Sequence, residues 1–269
     1  MIDVSESFTS AFVLFELVTH LDESDCEFRV RKACVANLLE LEESGLHVEW
    51  MLPKDRGKAA FPYLGHKPDH MGRFFQLVQC VRECEYWQEF VELLACRGLD
   101  AYFTWINREH ADIIDAAMRM RPEPSVPAET DALVEKLHPT ATTREKRATR
   151  NEVFRGLPRH HTARGRTIQG FAREWARECI PAASECVAQR ILDSYDGSIA
   201  LFIEGLDIAL AKCMVGRHCV EPNDFADLLH LMYLRDGDVL VSDEGHNKLV
   251  TSVACEIGVS VKHIEELKN

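Results

Sequence analysis

Three aspartates near the end of the chain have the spacing of a site for divalent metal ions. Asp224 and Asp227 lie at the start of a predicted helix, and Asp243 follows a short apolar strand. Residues three apart share one face of a helix, so the first two carboxylates would lie side by side. Hard cations bound through oxygen relieve the repulsion between such carboxylates. These ions can activate water and stabilise the charge on a phosphodiester under attack.

An ordinary structural interpretation fits the same residues. In it, Asp224 caps a helix, Asp227 is solvated, and Asp243 belongs to the turn after a strand. Acidic residues are common at helix starts because the helix dipole favours negative charge there. The spacing alone leaves both interpretations open.

The elements predicted around the aspartates are a helix, a strand, a second helix and a last strand. Residues 222–224 (Pro-Asn-Asp) are typical of a helix start. The strands are predicted at 239–241 and 259–261, and a helix over 247–256 joins them. This order with short connections predicts a parallel crossover unit. Ligands of such sheets sit beyond the carboxyl ends of the strands, where Asp243 falls.

Residues 223–244 resemble the closing part of PIN-like nuclease domains. In that family an aspartate opens a helix, and a later strand ends in a Thr/Ser-Asp or Thr/Ser-x-Asp element, as Ser242 and Asp243 do here. Near the start of the chain, residues 10–17 are similar to the family's serine-led helix, whose glutamate is a metal-site acid; Glu16 has that position. The resemblance covers about residues 5–52 and 195–267.

The resemblance implies a metal-dependent endonuclease that hydrolyses the phosphodiester bonds of RNA, or of DNA, with Mg²⁺ or Mn²⁺. It implies that Glu16, Asp224 and Asp243 hold the metal and that Asp227 is a further catalytic acid. The partners implied are nucleic acid, RNA before DNA, and either a second copy of the chain or a regulatory protein.

The predicted fold class is α/β, helix-rich, with a small parallel sheet of PIN-like type and a large helical insertion. Residues 1–54 and 195–269 would form the α/β core, and residues 55–194 the insertion. A helix predicted over 25–44 carries an apolar stripe at helical spacing. That stripe consists of Val30, Ala33, Cys34, Leu38 and Leu41.

One departure from the family pattern concerns the first strand. PIN domains begin with a strand that carries an aspartate, well before the helix with the glutamate. Here only Asp3 precedes Glu16, at a distance too short for the usual elements. An incomplete site would favour an alternative function, a catalytically inactive PIN-like module that binds nucleic acid or a protein partner.

Residues 144–166 contain eight basic and two acidic side chains, in a chain whose net charge is -13. Such a segment is either a solvated helix that pairs with acidic neighbours or a contact for the phosphate backbone. The residues expected to bind nucleic acid are Arg144, Lys146, Arg147, Arg150, Arg155 and Arg159. Arg155 with His160 also matches the Arg-x4-His pattern of HEPN-type ribonucleases, so a metal-independent ribonuclease is a second alternative.

Composition predicts a cytoplasmic protein without a membrane partner. No apolar run reaches the length of a transmembrane helix, and the first residues lack the basic start of a secretory signal. Ten scattered cysteines are typical of buried free thiols in a reducing compartment. Two pairs have the spacing of zinc ligands, His66 with His70 and Cys80 with Cys84, but Pro68 interrupts the first and core packing explains the second better.

Overall fold

The described part of the chain divides into two compact units. The computed structural model describes residues 8–19, 21, 24–67, 70–120, 132–137, 139–146, 148–149, 161–180, 184–214, 222–242 and 249–263. The first unit contains the described residues up to Ala59 and those from Gly65 to Ile113, and the second contains Ala60–Leu64 and the described residues after Ile113. The predicted division into a core and an insertion over 55–194 stays a prediction.

The first unit begins with a strand that runs directly into a helix. Its elements in chain order are β1 (Phe8–Ser10), α1 (Ala11–Thr19), α2 (Asp25–Glu43), β2 (His47–Glu49), α3 (Pro53–Ala59), α4 (Met71–Glu83), α5 (Trp87–Arg97) and most of α6 (Asp100–Met120). β1 and β2 pair in parallel, in register from Phe8 with His47 to Ser10 with Glu49. Ser24 caps α2 by accepting a hydrogen bond from the amide of Glu27.

Large aromatic side chains fill the core of the first unit. Phe12 and Phe15 of α1 are buried, and so are Phe28 of α2, Phe74 of α4 and Phe90 of α5. The rings of Phe28 and Phe90 lie 5.5 Å apart, in a tilted arrangement. Because such rings bury much apolar area, they decide which face of each helix turns inward.

The structure buries a face of α2 other than the apolar stripe seen in the sequence. Phe28, Val35 and Leu39 are the buried residues of this helix. Of the predicted stripe, Val30, Ala33, Cys34 and Leu41 are exposed and only Leu38 is half-buried. The predicted helix is present as α2 (Asp25–Glu43), which carries apolar residues at helical spacing on two faces and packs against α1 and α4.

The second unit contains the predicted crossover. Its elements are a 3₁₀ turn (Pro62–Leu64), α7 (His161–Cys179), α8 (Glu185–Asp193), α9 (Ala200–Met214), α10 (Pro222–Leu229), a 3₁₀ turn (His230–Met232), β3 (Val239–Ser242), α11 (Leu249–Glu256) and β4 (Ser260–His263). β3 and β4 pair in parallel, in register from Val239 with Ser260 to Ser242 with His263. This confirms the predicted strand–helix–strand unit.

A glycine in α9 lets three elements of the second unit approach closely. A Cβ atom at Gly205 would lie 2.6 Å from Cδ1 of Leu231 and 3.1 Å from Cγ1 of Val253. Leu231 lies in the second 3₁₀ turn and Val253 in α11, and both are fully buried. The crossover helix and the second 3₁₀ turn thus pack on α9 at a point where any side chain would intrude.

The fold class is confirmed at the level of a helix-rich α/β protein with parallel strands. The described strands form two sheets of two strands each. Across the described residues, no helix is both long enough and apolar enough to cross a bilayer.

Candidate functional site

Helix α10 buries the first of the predicted metal-site acids. Asp224 lies in the first turn of α10, two residues after Pro222, and only 6% of its surface is exposed. Proline fits the first turn of a helix because its missing amide hydrogen would have no partner there. The positive end of the helix dipole favours a carboxylate at this place. Burial of Asp224 matches a structural cap and a metal ligand equally well.

A histidine lies close to Asp227, in the 3₁₀ turn that follows α10 directly. Asp227 and His230 are both half-buried, and a carboxylate oxygen of Asp227 lies within 4.8 Å of a ring nitrogen of His230. Sequence analysis missed His230. The signal that would have found it is the spacing of three residues, which places both side chains on one face at the end of α10.

An ion pair holds the crossover helix against α9. The ammonium group of Lys212 donates to Oγ of Ser252 at 2.6 Å, and lies 2.7 Å from Oε1 of Glu256. Lys212 is 3% exposed. Since α11 connects β3 to β4, this contact helps to place the carboxyl end of β3, after which Asp243 follows in the sequence. Asp243 itself lies outside the described residues.

The fourth predicted acid lies in the first unit. Glu16 is half-buried in α1, beside the buried Phe12 and Phe15. The hydroxyl of Thr19 donates to the backbone carbonyl of Glu16 at 3.3 Å.

The donor atoms of α10 and of the 3₁₀ turn after it are of the kinds that bind divalent cations. Carboxylate oxygens such as those of Asp224 and Asp227 suit Mg²⁺, Ca²⁺ and Mn²⁺. The imidazole nitrogen of His230 suits transition metals better than Mg²⁺. The residues present therefore fit Mn²⁺ at least as well as Mg²⁺.

The structure covers only part of the basic segment. Arg144 is exposed, and Lys146 forms an ion pair with Glu135. Thr142 and Glu145 bond reciprocally as a capping box and begin the helical turn that carries both cations. The remaining residues expected to bind nucleic acid lie outside the described residues: Arg147, Arg150, Arg155 and Arg159. His160, the partner of Arg155 in the HEPN-like pattern, lies outside them too.

The two cysteines with zinc-like spacing lie in the core of the first unit. Cys80 and Cys84 of α4 are buried, and burial raises the pKa of the Cys84 thiol to about 11. Burial also raises the pKa of Cys80, whose sulfur accepts a hydrogen bond from Arg97 at 3.6 Å. Burial of both thiols fits the core packing that the sequence favoured for this pair.

The two histidines with zinc-like spacing contact different partners. Nε2 of His66 lies 2.6 Å from Oδ1 of the buried Asp55. His70 precedes α4, and its ring stacks on that of Trp105 with 4.4 Å between the ring centroids. Each imidazole is thus positioned by its own neighbour, in keeping with structural roles for both.

Relatives offer no independent evidence on this site. No family model matches the chain, and neither a curated protein nor a solved structure matches it.

Proposed function

We propose that this protein is a cytoplasmic, PIN-like, metal-dependent endonuclease that acts on RNA before DNA. The observation that carries the proposal is the proximity of Asp227, on α10, to His230, in the turn after it. The buried Asp224 lies in the first turn of the same helix as Asp227. The parallel crossover of β3, α11 and β4 adds support, because Asp243 follows β3 in the sequence. In parallel sheets this is the edge at which ligands bind.

In the proposed reaction, the acids hold the cation and orient water. Mg²⁺ or Mn²⁺ would supply a Lewis acid that activates water and stabilises charge on the phosphodiester. Glu16, Asp224 and Asp243 would hold the cation. Asp227 would hold it as well or would position the attacking water, and His230 would orient the Asp227 carboxylate or add a nitrogen ligand.

The basic segment would deliver the substrate in this proposal. Arg144 and Lys146 would contact phosphates, together with Arg147, Arg150 and Arg155. Contacts of this kind neutralise the backbone and release counterions, so they strengthen binding without selecting a sequence. The predicted insertion over 55–194 would then act as a lid or platform for the nucleic acid.

The test is cleavage of mixed RNA and DNA with Mn²⁺ and with EDTA. Asp224→Asn should reduce hydrolysis by orders of magnitude, because it removes a ligand charge and keeps the side-chain shape. Asp227→Asn changes a half-buried residue, so it tests the site even if Asp224→Asn fails to fold. Asp236→Asn is the matched control, since Asp236 lies in the exposed turn before β3. Unchanged cleavage by both site variants would refute the proposal.

The composition of β1 favours a second candidate function. This strand consists of Phe8, Thr9 and Ser10, so it carries no carboxylate. A catalytically inactive module that binds nucleic acid or a protein would need no first-strand acid. Titration calorimetry with Mn²⁺ separates the candidates: weak binding that Asp3→Asn leaves unchanged and Asp224→Asn abolishes, with no cleavage, supports the inactive module.

Cleavage that survives EDTA would point to a different enzyme. In that case Arg155 and His160 become the residues to replace, as the HEPN-like pattern predicts. An EDTA-resistant activity lost in His160→Gln and kept in Asp224→Asn would replace the metal-dependent proposal with the metal-independent one.

A further inference from the structure

Asp227 and His230 place an oxygen donor and a nitrogen donor side by side at the end of α10. Both side chains are half-buried, and a carboxylate oxygen of Asp227 lies within 4.8 Å of a ring nitrogen of His230. Two ligands of one tetrahedral metal ion are about 3.4 Å apart when both bonds are about 2.1 Å long. A small rotation of either side chain therefore brings both donors onto a shared ion.

The change of helix type at His230 aligns the two side chains. α10 ends at Leu229, and the 3₁₀ turn begins at His230. A 3₁₀ helix has about three residues per turn, so side chains three apart lie closer to one line than they do in an α-helix. The amide of Tyr233 donates to the carbonyl of His230 at 3.2 Å and closes this turn. The backbone itself thus aligns His230 with Asp227.

Close packing on either side of the pair fixes this stretch of backbone. Leu228 and Leu231 are buried, and Cδ1 of Leu231 lies so close to Gly205 of α9 that a Cβ atom there would overlap it. The motion left to Asp227 and His230 is therefore rotation of their side chains. Donors that the fold holds close together lose little conformational entropy when they bind an ion.

Imidazole and carboxylate groups prefer different cations. Mg²⁺ takes oxygen ligands, keeps several of its waters and loses them reluctantly. An imidazole nitrogen suits first-row transition metal ions instead. A nitrogen donor beside a carboxylate therefore shifts the preference of a site away from Mg²⁺, which a set of carboxylates alone would not do.

We propose that His230 is a nitrogen ligand of the cation at this site and makes the site select a first-row transition metal ion over Mg²⁺. Asp227 supplies the oxygen ligand beside it. The inference rests on the proposed function for the presence of a cation, and it assigns to His230 the choice of ion. If His230 only formed a hydrogen bond with Asp227, the experiments below would give different results.

Calorimetric titration of the full chain with Co²⁺ and with Mg²⁺ tests the choice of ion. His230→Gln should weaken Co²⁺ binding by at least about tenfold, the lower end of the loss caused by removing an outer-shell partner. Mg²⁺ binding should stay nearly unchanged. His47→Gln is the matched control, since His47 of β2 is exposed, and it should change neither affinity. Unchanged Co²⁺ binding in His230→Gln, or an equal loss for both ions, would overturn the proposal.

His230→Asp exchanges the nitrogen donor for an oxygen donor. Circular dichroism should show an intact fold, because the position is half-buried. The ratio of Co²⁺ affinity to Mg²⁺ affinity should fall below that of wild type, since an oxygen ligand suits Mg²⁺. A ratio equal to that of wild type would exclude His230 as the residue that selects the ion.

Pulsed electron paramagnetic resonance of the Mn²⁺-loaded protein detects the ligand directly. A bound imidazole nitrogen modulates the electron spin echo of Mn²⁺ through its ¹⁴N nucleus. This modulation should be present in wild type and in His47→Gln and absent in His230→Gln. A wild-type echo without ¹⁴N modulation, or modulation that persists in His230→Gln, would refute the assignment.

Cleavage assays on the same variants separate this inference from the proposed function. If Asp224→Asn abolishes cleavage but His230→Gln keeps the ¹⁴N modulation, the nuclease stands and the role of His230 falls. If no cation supports cleavage but His230→Gln removes the ¹⁴N modulation of wild type, the metal ligand stands and the nuclease falls.

Discussion

Replacement of Lys212 by methionine tests the ion pair that holds α11 against α9. The change keeps most of the side-chain volume and removes the ammonium group, which contacts Ser252 and Glu256. A hydrogen bond to a charged group stabilises a fold by about 1.5–3 kcal/mol. Two such contacts are lost, and relief from burying the ammonium group offsets part of that loss.

The exposure of the Glu256 carboxylate determines how much stability Lys212→Met removes. The side chain of Glu256 is 24% exposed, so water can solvate it when Lys212 is gone. The penalty should then fall below the roughly 3–5 kcal/mol seen when one partner of a fully buried pair is removed. We expect Lys212→Met to lower the free energy of unfolding by about 2 kcal/mol. A cycle with Glu256→Gln should give a coupling energy of about 1–2 kcal/mol.

Urea denaturation and hydrogen exchange are the assays. Exchange of backbone amides should accelerate in peptides that cover α9 and α11, because local opening becomes easier when the pair is lost. Lys262→Met is the matched control, since Lys262 of β4 is exposed, and it should change stability by less than about 0.5 kcal/mol. If Lys212→Met costs no more than this control, the reasoning from burial and pairing is wrong.

Three further predictions concern other parts of the chain. Burial raises the pKa of Cys84 to about 11 from a usual 9.0, so its neutral thiol stabilises the fold below pH 9 and that contribution is lost as pH rises from 9 to about 11. Cys84→Ala should flatten this decline of stability in alkaline denaturation curves. An unchanged curve would contradict the raised pKa of Cys84. Gly205→Val should destabilise the protein by about 1–3 kcal/mol in urea denaturation, because a side chain there overlaps Leu231; a stability equal to wild type would show that α9 can shift. Replacing Arg147 and Arg150 by Gln should weaken nucleic-acid binding. The slope of log affinity against log salt concentration should fall in magnitude by up to about two, one for each lost phosphate contact. A slope equal to that of wild type would mean that the basic segment is only a solvated surface.

Local signals in the sequence were enough to predict many helices and the crossover. Ser24 starts α2 because its side chain satisfies an amide at the helix start. Gly197 lies between α8 and α9 at a φ of 82°, a backbone conformation that glycine adopts without strain. The pairing of β3 with β4 followed from two short apolar strands joined by a helix with short connections. Each of these signals acts over a few residues, so a single chain segment contains it.

The candidate site was predictable only in part. The pattern at the start of α10 predicted that Asp224 and Asp227 share a helix, because spacing along a helix is a local property. The burial of Asp224 and the proximity of Asp227 to His230 depend on tertiary packing, so the sequence alone did not predict them. Whether Asp243 and Glu16 complete the site stays a prediction.

Tertiary packing alone decided which side chains meet across the chain. α2 has two apolar faces, and the choice between them depended on Phe28 fitting against Phe90 of a helix some sixty residues away. Lys212 reaches Ser252, forty residues on, and Gly205 is needed only because Leu231 and Val253 converge on it. Periodicity shows that a face is apolar, but the neighbour that buries it comes from a distant part of the sequence. A local pattern therefore determined the helices, and long-range close packing determined their orientation.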